Sequence, residues 1–134
     1  MSLKDELVAI KNALQASAYN YNVHFCTPEN YENHMLSITE ATYRRSMFEQ
    51  NSYTNIRTQI INFDFVFCYA DSQDQFDRIE QQSNDYNNLE TVLNARNSSE
   101  GFQWVITDAN KSYDEERGFH LLTIEAQIYY RISA

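Results

Sequence analysis

Apolar residues recur at Leu3, Leu7, Ile10 and Leu14, the spacing of one face of a helix. SLKDELVAIKNALQA therefore predicts an amphipathic helix, with Ser2 as its amino-terminal cap. Asp5 and Glu6 fall in the first turn, where the helix dipole favours carboxylates. The stripe is narrow, so this helix needs cover from the sheet of its own subunit or from a neighbour. From Arg57 the period changes to two. Ile61, Phe63, Phe65, Phe67 and Tyr69 fall on one face of a strand, and Thr58, Ile60, Asn62, Asp64, Val66 and Cys68 on the other. The first face is core. The second is mixed, and Asp64 on it is expected to point to solvent or to another subunit, because an unpaired buried carboxylate is costly.

Ser72 followed by Gln75 has the form of a capping box. After it, Phe76, Ile79, Ser83, Tyr86, Leu89 and Leu93 predict one side of a long helix ending near Arg96, closed by Asn97-Ser98-Ser99-Glu100-Gly101. FQWVITDA, residues 102 to 109, predicts a strand with Phe102, Trp104 and Ile106 on one face. The polar stretch NKSYDEERG then leads to a strand in which Leu122, Ile124, Ala126, Ile128, Tyr130 and Ile132 alternate with Thr123, Glu125, Gln127, Tyr129 and Arg131. Such alternation marks a strand with one wet side. These two strands are expected to form an antiparallel hairpin with a charged, exposed loop of about ten residues. The fold class is α+β: a mostly antiparallel sheet, one long helix packed on it and an amino-terminal helix.

Residues 17 to 56 are poorly patterned and rich in Asn, Tyr, Ser and Glu. An extended arm or a loop ordered by a partner is one reading, and short irregular strands packed on the domain is the other. Thr27-Pro28-Glu29 has the form of a helix start.

At 134 residues the chain is expected to be one domain, 1–134. It carries no secretion signal and no apolar run of spanning length, so a soluble, unprocessed protein with no membrane association is expected. The formal charge of −9 argues against a surface that neutralises phosphates. Arg44-Arg45 is the one adjacent basic pair. Cys26 and Cys68 lack an export signal and are expected to be buried free thiols of a reducing compartment.

Nothing in the sequence displays a reaction centre. His24, Cys26 and His34 lack the paired ligand spacing of a zinc site. With two glycines, Gly101 and Gly118, phosphate loops and dinucleotide turns have no usual form to take. Cys26 or Cys68 with His24 or His120 makes a dyad in composition alone. Catalytic residues, metal and cofactors are all expected to be none. Asp64 and Glu125 project from one polar sheet face, where plain surface charge outweighs acid-base chemistry. Ten tyrosines, many outside the periodic pattern, favour docking surfaces and hence an assembly.

The order helix, extended segment, long strand, capped helix, strand, long strand resembles the small α+β proteins that form rings in the neck and tail of tailed bacteriophages, of tail-terminator, tail-completion and head-tail connector type. It holds best from Ile56 to Ile132 and rests on element order, without a signature motif. The resemblance implies a structural virion protein, made in the host cytoplasm, whose subunits close into a homo-oligomeric ring, often six or a multiple of it. Such a ring would join portal or adaptor proteins to tail proteins and let DNA pass without specific binding, which a negative balance suits. On that reading Asp64, Glu125 and Gln127 belong to a lumen-facing or subunit-facing sheet surface. Tyr31, Tyr43, Arg44, Arg45, Tyr53, Tyr113, Glu115 and Glu116 are candidates for contacts between subunits. The competing reading is a small cytosolic ligand-binding or enzymatic module with a pocket walled by Phe63, Phe65, Trp104 and Tyr130.

Overall fold

The computed structural model describes residues 2–16, 22–26, 30–41, 47–50, 56–97 and 102–133, with backbone alone at 47–50, 56–57 and 131–133. Helices α1 (Leu3–Gln15) and α2 (Gln75–Arg96) accompany strands β1 (Asn22–His24), β2 (Met35–Glu40), β3 (Met47–Gln50), β4 (Ile56–Ala70), β5 (Phe102–Asp114) and β6 (Phe119–Ser133). The sheet runs β1-β2-β4-β6-β5, and β3 also pairs with β4. The β1–β2 pair is parallel and the other pairs are antiparallel. This is the expected α+β class. Within the segment that lacked a pattern, β1, β2 and β3 are short strands. β6 occupies one edge of β4 throughout, so β2 and β3 share the other edge in turn.

The axis of the sheet is the β4–β6 ladder, which runs from Ile56 opposite Ser133 to Ala70 opposite Phe119. Each strand has 15 residues, roughly 50 Å at the antiparallel rise. The period-two reading of β4 holds on the core side: Ile61, Phe63, Phe65, Phe67 and Tyr69 are all buried. Ile124, Ala126 and Ile128 of β6 and Trp104 of β5 join them. Ile10 and Leu14 of α1 and Leu89 and Leu93 of α2 close this face. The narrow stripe of α1 is thus covered by its own chain, through α2 and β1.

Ser2 caps α1 as expected. Its Oγ accepts from the Asp5 N–H at 3.2 Å, and the Asp5 carboxylate accepts from the Ser2 N–H at 3.3 Å. The start of α2 differs from expectation. Asp74, two residues after Ser72, is the cap, and its carboxylate accepts from the N–H groups of Phe76 and Asp77, both at 3.1 Å. A carboxylate at this position meets two orphan donors and the dipole together. The buried face also differs. Gln82, Asp85, Leu89 and Leu93 are buried, whereas Phe76 is 76 % and Ile79 41 % exposed. The stripe is turned because Asp85 is bonded to Tyr69 and His34, and Leu89 and Leu93 continue from it at steps of four.

The hairpin is tighter than expected. β5 continues through NKSYD to Asp114, leaving a turn of residues 115–118 with Gly118 at φ +70. Polarity alone hid these strand residues, because an edge strand exposed to water needs no apolar alternation. The turn is charged and exposed, as expected. The helix start at Thr27-Pro28-Glu29 lies outside the described residues.

Cys68 is buried and Cys26 is exposed, so the expectation of two buried thiols is corrected for Cys26. Cys26 sits in a bend after the three-residue strand β1, where nothing covers it among the described residues. Burial pushes the Cys68 thiol up to about 11, opposed slightly by Arg117. Since the thiolate is the nucleophile, a disulfide-exchange dye at pH 8 is expected to modify Cys26 in the native protein. Cys68 should react only after unfolding in denaturant.

Candidate functional site

The sheet face away from the helices carries the residues expected to meet a lumen or a neighbour. Backbone register places Asp64 directly opposite Glu125, Asn62 opposite Gln127, and Thr39 on the other side of Asp64. Asp108 stands opposite Glu125 across a bulge at Thr107, so three carboxylates cross the sheet in one row. Asp64 and Gln127 are half-buried. Glu125 is 2 % exposed within the single chain, so it is not plain surface charge there. The bulge is the reason: it sets Thr107 Oγ1 3.3 Å from Glu125 Oε1 and 3.2 Å from the Glu125 carbonyl oxygen. Strand alternation identifies a face, but it cannot show that a bulge brings a neighbour over one position of it.

A second group gathers where the β5–β6 hairpin turns. The Tyr113 hydroxyl donates to Asp71 at 3.0 Å, and His120 Nε2 lies 2.9 Å from the other Asp71 oxygen. The Tyr113 and His120 rings are 4.6 Å apart. Arg117 lies over Tyr31, 4.5 Å from its ring centre, and Tyr31 meets Phe119 edge-on. Tyr31 and Tyr113 are thus brought to one end of the molecule, with exposed Glu115 and Glu116 in the adjacent turn. Tyr43, Arg44, Arg45 and Tyr53 lie outside the described residues. Hairpin register unites this group, and Asp71 and His120 were missed because they are far apart in sequence.

Asp71 is held below the usual carboxylate range, first by His120 and then by Tyr113. The same contact raises the Tyr113 phenol. A depressed carboxylate contributes stability that is present above its unfolded pKa, about 3.9, and lost as pH falls through its folded value. The clasp is therefore expected to persist at pH 5 and to open at strongly acid pH, read from the NMR shifts of the Tyr113 and His120 rings. Asp71→Asn should lower the Tyr113 phenol pKa towards the ordinary value.

Two buried networks also escaped the sequence. Glu6 is fully buried and pairs with Arg96 through two bonds of 2.9 and 2.6 Å, while Trp104 Nε1 donates to it at 3.3 Å. Asp85, also fully buried, accepts from the Tyr69 hydroxyl and lies 3.3 Å from His34 Nε2. Glu6 reads as a dipole carboxylate and Asp85 as an exposed helix position until the partners from distant elements are known.

The aromatic residues expected to wall a pocket pack mainly on one another in the core, while Phe63 also borders a groove of about 460 Å³ beside α1 and Trp104 one of about 230 Å³ beside α2. Trp104 lies 5.9 Å from Phe63 and 6.0 Å from Phe65 between ring centres, and Phe102 stacks on Tyr130 at 5.0 Å. Cys68 and His120 belong to opposite sheet faces, since His120 is registered with Tyr69 and Cys68 with Leu121. Among the described residues no cluster of His, Cys, Asp or Glu is arranged to hold a metal ion. No described helix is long and apolar enough to cross a membrane.

This architecture has a counterpart among solved structures. The chain is similar to one in "Virion of native gene transfer agent (GTA) particle", with a TM-score of 0.51 and 11 % identity over 93 % of each chain. No family model and no curated protein matches it. At this identity the likeness is one of fold, and it extends over nearly the full length of both chains.

Proposed function

We propose that this chain is a structural virion protein that forms a ring in the neck or tail of a tailed phage, as a tail terminator or head-tail connector. The observation that carries the reading is the likeness over 93 % of the chain to a component of a virion particle, which agrees with the independent resemblance in element order. Residues 1–134 act as one domain. Copies stand side by side in a closed ring, six or a multiple of it, through a heterologous interface. The ring joins portal or adaptor proteins to tail proteins.

The face with Asp64 and Gln127 borders the lumen or the next subunit. The net charge of −9 lets DNA pass without being held. Glu125, being buried, supports this face from within. Tyr31, Tyr113, Glu115 and Glu116 form an end contact, and Tyr43, Arg44, Arg45 and Tyr53 contribute others. The protein acts through shape and contact and carries out no chemistry.

Electron microscopy and mass photometry test the reading. Rings of the purified protein, or a monomer that assembles on portal or tail tube, are expected. A monomer that binds neither would refute it. In the phage, Asp64→Lys is expected to reduce infectious titre while leaving the melting temperature nearly unchanged. An unaltered titre would remove the channel role of Asp64.

A further inference from the structure

Between α2 and the outer strand β5 lies a groove of about 480 Å³, lined among others by Gln82, Tyr86, Asn87, Asn110, Lys111 and Leu122, within the size range of ligand sites at roughly 300–1,000 Å³. Lys111 is registered with Leu122, so both belong to the helix side of the sheet. Gln82 is 4 % exposed and borders the groove, and among the described residues its side-chain amide makes no hydrogen bond. Among the described residues, the side-chain polar groups of Asn87, Asn110, Tyr86 and Lys111 likewise make no hydrogen bond or ion pair. The lining therefore offers several donors and one cation, with no carboxylate, on a chain that carries 19 acidic and 10 basic residues. That chemistry recognises a carboxylate.

Strand addition fits this edge poorly. The bulge at Thr107 interrupts it, and the Asp108 carboxylate accepts from the Ala109 N–H at 2.9 Å, devices that blunt an exposed edge. Side chains entering from another molecule fit better. The exposed turn of the β5–β6 hairpin carries Glu115 and Glu116, neither of which makes a hydrogen bond or ion pair through its side chain among the described residues. Lys111 makes no ion pair with the turn of its own chain.

Resting on the ring reading above, we propose that the groove between α2 and β5 receives the acidic hairpin turn of a neighbouring copy, with Lys111 and Gln82 binding the Glu115 and Glu116 carboxylates. Groove and turn are different patches of one chain, so the contact is heterologous and repeats from copy to copy, as a ring requires. Its acidic partner is a second copy of this chain, and the charge pairing sets which neighbour is accepted.

The test is a charge exchange read by mass photometry, on the protein alone or on its portal or tail-tube partner. Lys111→Glu and, separately, Glu115→Lys/Glu116→Lys are each expected to raise the concentration for half-assembly about tenfold or more, as the loss of an interfacial charge pair does. The variant with all three changes should recover assembly, because the charge pair at position 111 is then reversed in sign and the Gln82 amide can accept from a lysine as it donates to a carboxylate. All three positions are exposed, so circular dichroism spectra should match the wild type. Rings unaffected by either single exchange, or not restored by the combined one, would overturn this contact and leave the ring reading standing. A wild-type chain that never assembles would end both.

Discussion

Arg96→Ala is expected to lower the unfolding free energy by about 3–5 kcal/mol, the scale for removing one partner of a buried ion pair. The cause is the residue left behind. Glu6 has no exposed side-chain surface, whereas Arg96 keeps 23 %. Without the guanidinium, the Glu6 carboxylate retains only the Trp104 indole N–H among the partners described for it. It must then stay charged in the interior or take up a proton. Arg96 is the last residue of α2 and Glu6 lies in the first turns of α1, so the same change also loosens the contact between the helices. Urea unfolding followed by circular dichroism measures the loss. The double substitution Glu6→Leu/Arg96→Leu is the informative control, since replacing both charges by apolar groups is often neutral or stabilising. A double variant as unstable as Arg96→Ala would place the cost in lost packing rather than in the stranded carboxylate.

Trp104→Ala should be about as damaging, about 3–5 kcal/mol, through the cavity left by the largest core side chain. Trp104 is 2 % exposed and touches both Phe63 and Phe65 on the neighbouring face of β4. Its removal takes away ring contacts that no rearrangement of a 15-residue ladder restores easily. It also takes the third donor from Glu6. For that reason Trp104→Ala and Arg96→Ala should not add: residues in one hydrogen-bonded network show coupling of about 0.5–3 kcal/mol. Trp104→Phe, which keeps most of the ring packing but loses the indole donor, separates the two roles. Thermal unfolding of the three variants and their combination gives the coupling directly.

Both predictions concern residues that a linear reading places only in part. Trp104 is legible: it alternates with Phe102 and Ile106, and a large apolar residue on such a face is core. Glu6 is not, because the pattern of α1 explains it fully as a favourable first-turn carboxylate. Its burial depends on where Arg96 arrives, 90 residues later, and on a strand that follows. Asp85 is similar. A carboxylate in the middle of an amphipathic helix reads as wet, and only Tyr69 and His34, aimed at it from β4 and the loop before β2, make its burial tolerable.

The candidate surfaces divide in the same way. Alternation along β4 and β6 assigns Asp64, Glu125 and Gln127 to one face, and the structure puts Asp64 and Glu125 directly opposite each other. Alternation carries no information about cover, however, and the bulge at Thr107 buries Glu125 while Asp64 stays half-exposed. At the hairpin, Tyr113, Glu115 and Glu116 are visible in the sequence as a polar run. The clasp to Asp71 and the groove beside Lys111 are products of register and helix placement.

By itself the sequence determined the helices, the long strands, the core face and the α+β class, because each follows from periodicity within a window of a dozen residues and from apolar area that must leave water. Only the tertiary structure decided the cap at Asp74, the turned face of α2, the buried networks around Glu6 and Asp85, and the groove between α2 and β5. These depend on partners distant in the chain. A polar side chain looks the same in sequence whether water or a buried donor meets it, and the free-energy difference between those outcomes exists only once the elements have packed.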